Sequence, residues 1–249
     1  MDRRTFLKSV PAFTVLAATG GSFAQETALT SSRSEAPGTA PSSAPALESI
    51  TLLTPQTDGG KSVLAALHER KTIRDISAQP LSPQMLSNLL WAAWGVNRES
   101  GPSGLPGRTA ASASNSQEID LYVVLPEGAY LYEAIPHRLT PLVARDLRAK
   151  VGRGHRGSAA QAPVNLIFVA DIAKYAKARF QEPGLKAPEI QESYYNVATG
   201  LIAGNVFLFA ASQGLAAWFH NCDKAGLAAE LNLRPEQRVL YAQTVGHPA

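Results

Sequence analysis

From about Ile50 onward, apolar positions recur with helical or strand periods, and the pattern predicts an α+β chain. Ser62 to His68 reads as a short helix with Val63, Ala66 and Leu67 on one face. Leu81-Ser82-Pro83-Gln84 supplies an N-cap serine and a proline at the first helical position. It opens a helix with Leu86, Leu89, Leu90 and Ala93 on one stripe, ending near Trp94-Gly95, with Trp91 and Trp94 as core or groove packing. Asn97 to Gly107 reads as a Gly/Pro/Ser loop of a length often found in lids. Ile119 to Leu125 is a strand, Pro126-Glu127-Gly128 a turn, and Ala129 to Ile135 the returning strand of a hairpin. Thr140 to Val151 is expected to be a helix carrying Leu142, Val143 and Leu147 on one side, and Val164 to Ala170 a strand. Leu215 to Phe219 is a short buried strand, Ala225 to Leu231 a small helix and Arg238 to Val245 a last strand.

Between Ser193 and Cys222 there is no Asp, Glu, Lys or Arg, and Gly200-Leu201-Ile202-Ala203-Gly204 spaces two glycines four apart. A membrane-spanning helix is one reading. Asn196, Thr199, Asn205, Ser212 and Gln213 interrupt the apolar run and no cationic anchors flank it, which favours a long helix from about Glu189 to Ser212, buried on most sides. Gly200 and Gly204 would permit close helix approach, and Asn205 would be a satisfied core amide. Such a helix needs a large sheet or a second subunit to cover it.

Composition narrows the classes. Of a net charge of +3, Arg3, Arg4 and Lys8 against Asp2 supply most, so no basic field argues for nucleic acid. One cysteine, Cys222, excludes an internal disulfide and a Cys-based metal cage, and the five His lack ligand spacing, so no metal site is expected. Met1 to Ala24 reads as an export signal: Arg3-Arg4-Thr5-Phe6-Leu7-Lys8, an apolar run Val10 to Ala18, and Ser22-Phe23-Ala24 as a cleavage site. The paired arginines mark a twin-arginine signal, hence the twin-arginine export machinery as a partner and a periplasmic or exported location, without stable membrane insertion of the mature chain. Residues 25–49, rich in Ser, Ala, Thr and Pro, form a disordered linker, and residues 50–249 one folded domain.

The candidate chemistry lies in Glu69-Arg70-Lys71-Thr72-Ile73-Arg74-Asp75, where three cations and a hydroxyl fall within five residues after the first helix. Guanidinium forks, an ammonium, a hydroxyl and backbone N–H groups suit one anion, most naturally a phosphate. A solvated charge cluster is the alternative. A second stretch about forty residues on, Ser112-Ala113-Ser114-Asn115-Ser116-Gln117, polar and uncharged just before a strand, favours the site. Gly152-Arg153-Gly154-His155-Arg156-Gly157 matches G-x-G-x-x-G by letter, but it follows a helix and precedes a strand, so it reads as a helix-terminating loop. A hydrolase using His220 or His137 as base finds no Gly-x-Ser-x-Gly stretch to support it.

Together, Ala66 to Asp75, Leu86 to Val96, Ser112 to Gln117, Gln213-Gly214-Leu215 and Val245-Gly246-His247-Pro248 resemble the flavin-dependent nitroreductase superfamily over nearly all of the folded part. Within it, the branch that oxidises azoline rings in modified peptides is the most similar. The resemblance implies an α+β fold with a central, mainly antiparallel sheet flanked by helices, and a homodimer with a long buried interface helix. It implies an FMN-dependent oxidoreductase moving hydride between a donor and a small organic acceptor. Arg70, Lys71 and Thr72 would hold the phosphate and ribityl oxygens, and Arg74 would approach the pyrimidine end, where a cation favours hydride acceptance. Asn115 would bond the polar edge of the ring, with Ser112 and Gln117 lining the pocket and Leu215 to Asn221 lying along it; no side-chain nucleophile is required. Ala111 departs from the family's usual Pro and Glu118-Ile119 from Pro-Trp. Basic residues that many members carry after Gly-x-Pro are missing, with Arg108 as the candidate replacement. That last departure leaves a flavin-binding protein without turnover as the alternative.

Overall fold

The computed structural model describes residues 46–101, 104–152 and 158–249. The export signal, the linker up to residue 45 and most of the Gly152–Gly157 loop lie outside the described residues. In chain order the elements are β1 (Ile50–Thr51), α1 (Val63–Glu69), α2 (Pro83–Trp94), β2 (Val96–Arg98), β3 (Gly107–Arg108), β4 (Ile119–Leu125), β5 (Gly128–Glu133) and β6 (Arg138–Val143). They continue with α3 (Arg148–Val151), α4 (Ser158–Gln161), β7 (Val164–Asp171), α5 (Pro188–Gln213), β8 (Ala216–His220), α6 (Lys224–Glu230) and β9 (Gln237–Gly246). Short 3-10 turns occupy Ala113–Asn115, Ile172–Lys177 and Pro183–Lys186.

Seven strands form one sheet in the order β1-β6-β5-β4-β7-β9-β8, and every neighbouring pair is antiparallel. Alternate side chains go to opposite faces. Leu121, Val123 and Leu125 of β4, with Leu166 and Phe168 of β7, pack under α2 and α5. Tyr122, Val124, Ile167 and Val169 meet α3 and α6 on the other face. Because both faces are covered, β7 is buried along its whole length.

Two expectations are corrected. Thr140 to Val151 is not a helix: Arg138–Val143 is β6, and only Arg148–Val151 is helical. Pro141 would break a helix interior, whereas here it lies opposite Tyr130 on β5. The faces alternate accordingly, Leu139 fully buried and Leu142 exposed. Asn97 to Gly107 is not plain loop either, since β2 and β3 at its ends pair into a two-stranded ladder. The α2 reading holds, with the Ser82 hydroxyl accepting from Met85 N at 3.2 Å and Leu89, Leu90 and Ala93 fully buried.

Among the described residues, α5 is the one helix long and apolar enough to cross a membrane. In this chain one face packs: Tyr195, Ala198, Ile202, Val206 and Ala210 enter the core beside α2. It is not buried on most sides. Val197 is 59% and Leu201 47% exposed, and a Cβ at Gly200 or Gly204 would meet nothing within 4 Å. Those glycines therefore make no close approach to another element among the described residues. The helix ends where Gly214 turns left-handed, at φ 69°.

His137 ties the sheet to the N-terminal segment. Its Nδ1 is 2.9 Å from the Tyr132 hydroxyl and its Nε2 2.8 Å from Ser87 Oγ, while Ser87 donates to Leu53 O. Ser87 has spent its proton on that carbonyl, so Nε2–H must donate to Ser87 and Nδ1 must accept from Tyr132. The neutral ring satisfies every partner; a second proton would displace the Tyr132 bond. Burial holds the His137 pKa below its ordinary value, a backbone contact with Leu53 opposing it. A depressed histidine contributes stability that is fully present above its unfolded pKa, about 6.5, and is lost as pH falls through the folded value. Thermal unfolding followed from pH 8 to pH 5 should give a flat midpoint down to about 6.5 and a decline below it. In His137→Gln that decline should be shallower, and an unchanged acid slope would remove His137 from this role.

Candidate functional site

Helix α1 delivers the cationic stretch. The Arg70 amide caps it by donating to Ala66 O at 2.8 Å, after which the chain runs extended. Ile73 N donates to Ala217 O of β8 at 3.1 Å, Ile76 bridges Pro248, and Ser77 N donates to His247 O at 2.8 Å. Ile76 is sunk with Ala159, Ala162, Ala216 and Trp218, and Ile73 packs against that cluster. The isoleucines anchor the strap, and Arg70, Lys71, Thr72 and Arg74 are left in solvent.

The Arg70 guanidinium sits 5.5 Å from the Phe207 ring centroid on α5, and that of Arg74 5.8 Å from the Trp218 ring. These contacts aim the charges without neutralising them. Among the described residues no carboxylate pairs with Arg70, Lys71 or Arg74, and the neighbouring acid Glu69 is drawn to Lys61. The amides of Lys71, Thr72 and Arg74 make no backbone hydrogen bonds among those residues. Three unpaired cations, a hydroxyl and open N–H groups on an anchored strap fit a phosphate better than a salt-bridged surface cluster would.

The second stretch is a strained turn. Ser114, Asn115 and Gln117 all have positive φ, at 49°, 51° and 50°. Non-glycine residues in that region cost on the order of 1 kcal/mol each, so the surroundings must impose the shape. Gln117 does most of this: its N–H donates to Ser112 Oγ at 3.0 Å, its Nε2 to Pro106 O at 2.8 Å and to Asn115 Oδ1 at 3.1 Å. Its Oε1 accepts from Arg108 Nε at 2.7 Å. Glu118 is buried beneath and accepts from Ser116 Oγ at 2.6 Å, a tie that a proline there could not make. Gln117 thus holds the turn from within, while Ser112, Ser114 and Asn115 line a cavity of about 500 Å³.

Arg108 does not join the strap. Its Nη1 donates to Trp94 O at 3.2 Å and its guanidinium lies 5.3 Å from the Trp94 ring centroid. Burial lowers its pKa, and the nearby Tyr132 and Asp120 offset this in part. Neither histidine is a free base: His220 is buried, bonded to Asn221 O at 2.7 Å and Thr244 Oγ1 at 2.8 Å, and His137 is committed as above. Burial pushes the Cys222 thiol up to about 11, which suits a buried inert side chain. Among the described residues no group of three His, Cys, Asp or Glu could hold a metal.

The two stretches meet different parts of α5. The strap touches Phe207, whereas Ser112 and Ala113 border an apolar groove with Tyr194, Val197 and Leu201. From Val197 to Phe207 is about 15 Å along a helix axis. The cavity lined by Ser112 and Asn115 includes none of Arg70, Lys71, Thr72 or Arg74. Sequence reasoning did not find Arg98 and Phe180, which line the same cavity; Arg98 needed the β2–β3 pairing to be seen, and Phe180 carried no signal of its own.

An all-antiparallel sheet between helical layers, with a cationic strap on its β8 edge, defines an α+β protein. The chain belongs to the nitroreductase family, whose model matches residues 67–247. It is 30% identical over 155 residues to a candidate nitroreductase of Methanocaldococcus jannaschii, covering 60% of this chain and 73% of that protein. A crystal structure of a candidate nitroreductase from Ralstonia eutropha JMP134 is similar at 35% identity and a TM-score of 0.71, covering 81% of this chain and 90% of that one. An Escherichia coli microcin synthetase complex shares the fold at 15% identity and a TM-score of 0.57, over 78% of this chain and 77% of that one.

Removing the Gln117 amide should leave Arg108 short of an acceptor and release the turn. Gln117→Ala is expected to lose about 1–3 kcal/mol in urea unfolding. Amide exchange across residues 112–117 should accelerate; unchanged exchange there would show that the turn is held by other contacts.

Proposed function

We propose that this chain is an FMN-dependent oxidoreductase working as a homodimer, with each flavin held between the two copies. Family membership and the unpaired strap Arg70-Lys71-Thr72-Ile73-Arg74 support the cofactor. Arg70, Lys71 and Thr72 would hold its phosphate and Arg74 would stand near its ring. Bound FMN would supply two-electron hydride chemistry. The protein's own share is to fix cations where negative charge accumulates and to hold the acceptor in place.

The observation that carries the dimer is the exposed apolar face of α5. Val197 and Leu201 are exposed beside Gly200 and Gly204, where among the described residues an added Cβ would meet nothing within 4 Å. Two copies of α5 crossing antiparallel at those glycines would cover that face. The crossing would also set the Ser112–Asn115 turn of one copy over the Arg70 strap of the other, closing the 15 Å offset expected from helix rise. Such a site would exist only in the dimer.

The sequence motif Arg3-Arg4-Thr5-Phe6-Leu7-Lys8 supports export of a chain that loads FMN before crossing the membrane. Nicotinamide cofactors are scarce outside the cytoplasm, so the electron donor there would be another molecule, or the enzyme would run as a dehydrogenase or oxidase. Azoline oxidation, suggested by the sequence resemblance, fits the second arrangement.

Cytoplasm-folded protein should be yellow, with about one FMN per chain. Arg70→Ala should weaken FMN at least roughly tenfold, the worth of a charge-assisted hydrogen bond, while sedimentation still reports a dimer. Full flavin occupancy in that variant would refute the phosphate assignment. Mixing unfolded Arg70→Ala with Asn115→Ala chains and refolding them should restore about a quarter of the wild-type flavin sites, as random pairing of two-fold dimers requires. No recovery would mean that both stretches serve the same flavin within one chain.

A further inference from the structure

The cavity beside the strained turn has a charge character that the flavin reading leaves unused. Its volume is about 500 Å³, within the usual range for small-molecule sites. Arg98 and Arg108 both line it, and among the described residues no carboxylate does, Asp120 lying near Arg108 from outside the cavity. Among the described residues neither arginine is in an ion pair with a carboxylate. Arg108 commits Nε to Gln117 and Nη1 to Trp94 O, which leaves Nη2 without a partner among those residues. Arg98 is placed by the β2–β3 ladder, its guanidinium lying against the bare backbone of Gly107: a Cβ there would stand 2.6 Å from Arg98 Cζ. At the same cavity Phe180 keeps 52% of its surface exposed, and among the described residues no ring packs against it.

We infer that this cavity binds a planar aromatic or heteroaromatic carboxylate, with Arg98 and Arg108 on the acid group and Phe180 against the ring. This deepens the oxidoreductase reading by naming its substrate class, and it rests on that reading for the chemistry that follows binding. A guanidinium fork matches a carboxylate in two parallel hydrogen bonds, and the Arg98 fork lies at the cavity against the bare backbone of Gly107. Phosphate would satisfy the charge but leave Phe180 in water.

The test is calorimetric titration of FMN-saturated protein with benzoate and with its neutral isostere benzamide. Benzoate should bind at least roughly tenfold more tightly. Arg98→Ala should abolish the preference, and Gly107→Ala, which displaces the guanidinium without removing it, should reduce it strongly. Arg234→Ala, a cation paired with Asp171 elsewhere, should leave it intact. Equal binding of acid and amide, or a preference that survives both Arg98→Ala and Gly107→Ala, would overturn the inference. So would inorganic phosphate displacing benzoate at equal concentration, since the site would then read charge alone. Flavin occupancy is read separately by absorbance. A protein without FMN would sink the oxidoreductase reading, while titration of that same protein with benzoate would still decide whether Arg98 selects an acid.

Discussion

The arrangement depends on α5 having two apolar faces, of which the described residues cover one. The core face, with Ile202, Val206 and Ala210, presses on the sheet and on α2. Burying side chains of this size contributes roughly 1.5–3 kcal/mol each, so this packing sets the position of everything that leans on the helix. Phe207 then receives Arg70, and the groove at Val197 and Leu201 borders the Ser112 turn. Both candidate stretches are indexed to one rigid element.

Much of this was legible in the sequence because the signals were local. Ser82 and Pro83 announce α2 and the long uncharged run announces α5; the alternation at Ile119 to Leu125 gives β4 at its observed bounds. The failures were non-local. Thr140 to Val143 reads as well in a helical window as in a strand, and pairing with β5 decides, with Pro141 the one local residue that opposes a helix. The ladder of β2 and β3 joins two short pieces across a loop, and no window contains both. The burial of α5 is overstated by the sequence because a largely uncharged helix looks the same whether one of its faces or both are covered.

At the residue level the candidate site was read as composition, and the structure separates that composition into roles. Ser112, Asn115 and Gln117 look alike in the sequence, yet Gln117 spends its whole amide on the turn, Ser112 accepts from the Gln117 backbone, and the turn carries three left-handed residues. Positive φ at Ser114, Asn115 and Gln117 cannot be seen from residue type, since only asparagine favours it. Strain of this kind persists where neighbours over-determine it, and here Arg108, Pro106 and Glu118 do so.

Charge placement joins the two halves. A protein surface ordinarily balances its cations locally, as Arg234 does with Asp171 and Lys174 with Asp120. On the strap and in the cavity no arginine is in an ion pair among the described residues, although Asp120 lies near Arg108, and in both places the guanidinium lies against the backbone or an aromatic ring: Arg70 on Phe207, Arg74 on Trp218, Arg108 on Trp94 and Arg98 on Gly107. Holding like charges without counter-ions costs stability through self-repulsion and, for half-buried Arg108, through desolvation. On the proposed readings an anion would return that cost on binding, to groups already oriented. The strap's open amides and hydroxyl favour a phosphate, whereas the cavity's lone phenylalanine favours a ring bearing an acid. On the proposed readings, the same electrostatic device would serve two ligands that differ in what surrounds the charge.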